Sequence, residues 1–311
     1  MSAVCAQENP LTAKQILEKM AKAMEVSSYQ GTVVFLKNDK LEAMKYFHTV
    51  QKDSQQERLV SLNSPLREII RNSDEVKCSF KMTQQVIVDH RPYEHSFIVD
   101  VPKNLDELET SYRFEIVGEE DVAMMPAYVV AIQPKDEFRY VRKIWISKQQ
   151  YLPLKAVVYD LSGVVLEQVV FTEMQINRQE AVTSAEIAKA TPAAQPAKDG
   201  LDMQNQAAFE LSALPQGFKK VFFARKPIHK SGLPVDHLLL SDGFASVSVY
   251  LESDKDKDSS DSPLPEGIHA VGAINSMSRR LADSQLTVLG EVPASTVKLI
   301  AESVKLRQPL Q

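Results

Sequence analysis

From Gly31 to Ile176 the apolar residues of this chain recur at every second position, in short runs parted by polar turns. The runs are "TVVFL", "MKYFHTV", "ERLVSL", "REIIR", "YRFEIVG", "AYVVAIQ", "RYVRKIWIS", "LPLKAVVYD" and "VVLEQVVFTEMQI", with turns such as Lys37-Asn38-Asp39-Lys40 between them. A period of two places alternate side chains on opposite faces of a strand. Turns this short join antiparallel neighbours. The pattern therefore predicts one long antiparallel meander without alternating strand–helix units. Such a sheet either closes on itself or packs helices into a concave face. One amphipathic helix precedes it: Thr12 and Gln15 have capping-box spacing, and Ile16, Leu17, Met20 and Met24 share a face. A second, short capped helix is predicted at "NLDELETSY", with Asn104 as cap and Glu107 three residues on.

Composition changes after Ile176. "AVTSAEIAKATPAAQPAKDGLDMQNQAA" is rich in Ala, Pro, Gln and Thr and poor in large apolar residues. Residues 179–207 thus read as a linker. A large first domain spans 7–178, and a smaller α+β domain spans 208–311, closing on a helix with Val297, Ile300, Ala301 and Val304 on one face. A chain of 311 residues is long enough for two cores. Residues 1–6 read as the stub of a secretory signal, with Val4 and Ala6 at the −3 and −1 positions before Gln7. Cleavage there removes Cys5, leaves Cys78 alone and permits no internal disulfide.

Net charge is −5 and the isoelectric point near 5.8, against the basic excess of nucleic-acid binders. No apolar run reaches the roughly 18–20 residues that span a bilayer. There is no H-E-x-x-H, G-x-G-x-x-G, Walker loop or G-x-S-x-G. His90 and His95 have no cysteine partner and no metal-site spacing. Ser241-Asp242-Gly243 reads as a tight turn into a strand. No catalytic residue, metal or cofactor is expected. The charged stretch "ERLVSLNSPLREIIRNSDEV" is expected to be a hairpin turning at Asn63-Ser64-Pro65. One register sets Leu59 opposite Ile69 and Glu57 opposite Arg71; a shift of two sets Arg58 opposite Glu68. In either case the charges read as the hairpin's solvated face.

The same stretch, with "YQGTVVFLKNDKLEAMKYFH", "IWISKQQYLPLKAVVYDLSGVVLEQVVFTEMQIN", "LPQGFK", "DHLLLSDGFASVSVYLE" and "LTVLGEVPASTVKLIAESVKL", resembles the RseB/MucB family of periplasmic sigma-E regulators, in order along nearly the whole chain. One departure is Phe209-Glu210-Leu211 ahead of "LPQGF", where relatives are expected to carry Trp. The resemblance implies a half-open antiparallel β-barrel plugged by helices, similar to the lipoprotein carriers LolA and LolB, plus a smaller C-terminal α+β domain. It implies a non-enzymatic periplasmic protein, with a homodimer possible. Such a protein docks the periplasmic domain of an RseA/MucA-type anti-sigma factor and shields it from site-1 proteolysis. Lipid or lipopolysaccharide fragments relieve the shield. A periplasmic lipid or lipoprotein carrier is the alternative, although a carrier needs no second domain.

On that fold, Met44, Tyr46 and Val50 share one strand face, as do Tyr128, Val130 and Ile132. They are expected to line an apolar acyl pocket, or to form an ordinary core. Arg139, Arg142 and Lys143 in "RYVRK" are the candidate patch for an anionic headgroup. Leu238, Leu239 and Leu240, with Ser241, Asp242 and Phe244, are the candidate partner-binding surface, although a buried strand has the same pattern.

Overall fold

The computed structural model describes residues 10–51, 54–72, 75–80, 85–89, 96–102, 104–176, 207–227, 234–253 and 265–307. Helix α1 (Ala13–Val26) opens the chain, with the predicted box in place: Thr12 Oγ1 accepts from Gln15 N, and Gln15 Oε1 accepts from Thr12 N. Its buried face is Ala13, Ile16, Leu17 and Met20.

Eleven strands follow: β1 (Tyr29–Lys37), β2 (Lys40–Gln51), β3 (Ser54–Ser61), β4 (Arg67–Arg71), β5 (Val76–Phe80), β6 (Gln85–Asp89), β7 (Tyr112–Val122), β8 (Met125–Pro134), β9 (Val141–Ser147), β10 (Pro153–Tyr159) and β11 (Val165–Ile176). They form a single antiparallel sheet in the order β6-β5-β4-β3-β2-β1-β11-β10-β9-β8-β7. Two meanders, β1 to β6 and β7 to β11, are thus joined where β1 pairs with β11. The edge strands β6 and β7 are not neighbours, so the sheet stays open. The chain between these edges must travel from one side of the sheet to the other. Its residues Ile98, Leu105 and Leu108 are buried against the face that carries α1.

The second unit begins with β12 (Phe209–Leu211). It continues through β13 (Lys219–Pro227), β14 (Pro234–Ser241), β15 (Ser246–Ser253), β16 (Gly267–Val271), β17 (Ile274–Leu281), β18 (Ser284–Gly290), α2 (Ala294–Ser303) and β19 (Val304–Leu306). Six strands make a sheet in the order β13-β14-β15-β18-β17-β16, and β12 pairs with β19. Leu238, Leu240, Val247, Val249, Leu286 and Val288 project from one face of that sheet onto Val297, Ile300 and Ala301 of α2. Phe209 is buried in this core. Arg279 holds the C-terminal end of α2 by donating from Nε to Ala301 O and from Nη2 to Val304 O, both at 3.0 Å.

Two elements differ from expectation. "NLDELETSY" forms only a 3-10 turn, Glu107–Thr110, in which Asn104 Nδ2 donates to Glu107 Oε1 at 3.0 Å. Val304 leaves the predicted helix to begin β19 but stays buried. Of the expected linker 179–207 only Ala207 is described, and the expected signal stub 1–6, His90 and His95 lie outside the described residues.

Candidate functional site

The β3–β4 hairpin takes the register that sets Glu57 opposite Arg71 and Leu59 opposite Ile69. Glu57 therefore shares the face of Leu59, which points at α1, and is not solvated as expected. It is 1 % exposed. Tyr46 Oη donates to Glu57 Oε1 at 2.9 Å, Ser96 Oγ donates to the same oxygen at 2.5 Å, and Phe97 N donates to Oε2 at 2.9 Å. Arg71 Nε approaches Oε2 at 3.3 Å. These donors and the cation replace the water that the buried carboxylate has lost. Arg58 and Glu68 pair on the opposite, partly solvated face at 2.5 Å. Beside this cluster, burial raises the pKa of Tyr29 and Tyr46, with the Glu57 charge adding to the shift. Burial lowers that of His48, whose ring lies 4.8 Å from Tyr29 and whose Nδ1 is 3.0 Å from Ser27 O.

The six candidate pocket residues all lie on the α1-bearing side, in two groups. Met44 and Tyr46 pack with Tyr29, Val33, Phe171, Leu152 and Ile98. Val130 and Ile132, with half-buried Tyr128, pack with Ile16, Leu17 and Met20 of α1. Val50 is half-buried near the strand end. In this conformation α1 and the segment 96–102 occupy the space in front of both groups.

The basic patch does not form. Arg139 lies ahead of β9 and is 0 % exposed, at the junction of the two units. It is ion-paired to Asp242 and Asp136 and donates from Nη2 to Gln216 O. Arg142 faces Glu291 of the second unit at 3.4 Å. Lys143, one residue on and so on the other face of β9, has its ammonium 5.3 Å from the Tyr159 ring centroid. Alternation along the strand turns Lys143 away, while Arg139 and Arg142 both face the junction, within the field of Tyr112 and Asp242.

The candidate partner surface is also used internally. Leu238 and Leu240 are core residues, and Leu239 is half-buried on the opposite face of β14. Ser241 Oγ donates to Ala245 O, and Asp242 Oδ1 accepts from Phe244 N and Ala245 N. That turn aims Asp242 Oδ2 at Arg139 and at Tyr112 Oη, which donates to it at 2.8 Å. Phe244 packs into the first unit's core, edge-on to Tyr112 at 5.4 Å. Gly243 sits at φ 106°, where a Cβ would lie 2.8 Å from Pro102 Cγ, so glycine is required twice over. Asn275 Nδ2 donates to Tyr140 Oη and Thr296 Oγ1 to Phe138 O, extending the junction. An open cleft of about 420 Å³ flanks it, with Glu137 and Phe138 on one side and Lys298, Leu299 and Glu302 of α2 on the other.

The second unit thus docks on the strand ends of the open sheet through a buried ion pair, a tyrosine and a phenylalanine. That two-part architecture matches known proteins over the whole chain. Residues 12–195 match the MucB/RseB N-terminal domain, and residues 203–305 match the MucB/RseB C-terminal domain. The chain belongs to the MucB/RseB family. It is 26% identical to the sigma-E factor regulatory protein RseB of Haemophilus influenzae, over 99% of this chain and 95% of that protein. It is 28% identical to the sigma factor AlgU regulatory protein MucB of Pseudomonas aeruginosa, over 94% of this chain and 90% of the relative. Among solved structures, the MucA/MucB complex of P. aeruginosa aligns with a TM-score of 0.75 at 26% identity, covering 95% of this chain and 99% of that one. A crystal structure of MucB aligns with a TM-score of 0.60 at 26% identity, covering 95% of this chain and 98% of that one. Among the described residues of this MucB/RseB chain, no helix is long and apolar enough to cross a membrane, and no group of three or more His, Cys, Asp or Glu could hold a metal ion.

Proposed function

We propose that this chain is a periplasmic negative regulator of the envelope-stress response. It binds the periplasmic domain of a MucA/RseA-type anti-sigma factor and shields it from site-1 proteolysis, and a lipid or lipopolysaccharide fragment in the half-barrel relieves the shield. The observation that carries this reading is the likeness of the whole chain, both units together, to MucB in its complex with MucA. The TM-score to that complex is 0.75 over 95% of this chain, so both units take part in the likeness. The reading is of a binding protein, not an enzyme: the buried Glu57, Arg139 and Asp242 are each committed to partners within the chain. A docked second domain fits a regulator better than a plain carrier. The test is calorimetric titration of the purified chain with the periplasmic segment of the anti-sigma factor, followed by addition of the site-1 protease. Saturable binding that slows cleavage is expected. Cleavage at an unchanged rate would remove the shielding role.

A further inference from the structure

We propose that residues 96–102 are a strap that gates the α1-bearing face of the half-barrel for an acyl chain and links that gate to the C-terminal domain, with the Glu57 carboxylate as its latch. The inference rests on the lipid-sensing reading above and assigns its gate. The strap belongs to no helix or strand. Its first two residues are tied to the barrel through Glu57, which accepts from Ser96 Oγ and Phe97 N. Glu57 is itself fixed from below by Tyr46 Oη and flanked by Arg71. Within the strap Asp100 accepts from Ser96 N and lies in the field of Arg142, and the residues around it make apolar contacts. Phe97 and Ile98 lie in the cluster of Met44, Tyr46 and Phe171, and Val99 touches both clusters. Val101 lies in the cluster of α1, Val130 and Phe244. Pro102 then abuts Gly243, beside the Asp242 that pairs with Arg139.

This one segment therefore covers both halves of the candidate pocket and ends against the loop that docks the second domain. Its valine and isoleucine side chains fill space that an acyl chain of the same chemistry would take, so an entering chain displaces them. Displacement breaks the two bonds to Glu57 and withdraws Pro102 from Gly243. A closed strap lowers apparent ligand affinity by the fraction of time the gate is open. Weakening the latch raises that fraction.

The experiment uses the full chain as wild type, Glu57→Gln and Ser96→Ala. Amide hydrogen exchange reads strap opening, and titration with cis-parinaric acid, a fluorescent fatty acid, reads acyl binding. In Glu57→Gln, exchange at Phe97–Val101 and at Asp242–Ala245 is expected to quicken about tenfold, with parinarate bound about three- to tenfold more tightly. Ser96→Ala, which removes one hydroxyl and keeps the charge, is expected to shift both readouts the same way by less, and it serves if the Gln variant fails to fold. Faster strap exchange with equal parinarate affinity overturns the gate. Faster exchange confined to Phe97–Val101 overturns the link to the second domain. Parinarate binding by neither wild type nor variants removes the acyl-pocket reading itself, and the gate with it.

Discussion

Arg139 and Asp242 hold opposite charges with both side chains out of water. Losing one partner leaves the other buried and uncompensated, so Asp242→Ala is expected to cost about 3–5 kcal/mol. Glu291→Ala breaks the longer, partly solvated contact to Arg142 and is expected to cost under about 1 kcal/mol. Urea unfolding midpoints compare the two; equal losses would mean that burial at the junction does not set the energetics. His48 gives a pH signature. Its folded pKa is depressed, chiefly by burial and also by the Arg71 charge, with Glu57 and Ser27 O acting in the opposite sense. The unfolded chain therefore binds the proton first as pH falls through the ordinary value of 6.5, and stability declines below it. His48→Gln is expected to flatten the fall in unfolding midpoint between about pH 7 and 5.5 relative to wild type. An identical slope in the variant would show that other groups set the acid sensitivity.

Helix α1 is legible in the sequence because cap and period agree, and the structure gives each a separable energetic role. Thr12 satisfies one orphan donor at an exposed end, so Thr12→Ala is expected to cost about 1 kcal/mol. Ile16 is fully buried against Val130, Ile132 and Ile144, so Ile16→Ala is expected to cost about 2–5 kcal/mol. Thermal denaturation followed by the Trp145 emission reports both, since that tryptophan is buried on β9 with its Nε1 donating to Glu120 at 2.7 Å. The strand patterning of β1 to β4 and β7 to β11 is equally plain. At "NLDELETSY" the short helix is of 3-10 type and begins after Asp106, not Asn104, because a capping motif does not by itself set the hydrogen-bond pattern that follows. Strands β12 and β19 are three residues each, too short for any period to register.

The two units act on each other through one junction of fitted parts: Phe244 in the first core, Gly243 against Pro102, and Thr296, Asn275 and Glu291 facing Phe138, Tyr140 and Arg142. Contacts this buried couple unfolding, so scanning calorimetry of the wild type is expected to show a single transition. Gly243→Val, which forces a branched side chain into a left-handed backbone and into Pro102, is expected to split it into two. Two transitions already in the wild type would mean that the junction is weaker than its burial implies.

Alternation and capping are local properties, carried by residues a few positions apart. They were enough to foretell the meander, the first helix and the strand faces of Met44, Tyr46, Val130 and Ile132. The parity of Glu57 with Leu59 even marked it as inward-facing, but a charge at such a position is assigned to solvent until its donors are known. Two of its three donors, Ser96 and Phe97, are some forty residues away. The same holds for Arg139 and Asp242, 103 residues apart and unremarkable in their own loops. What becomes of a charge depends on which distant groups replace its water. No local pattern encodes that pairing, and it is settled when the chain from β6 to β7 crosses the sheet and the second domain closes on its end.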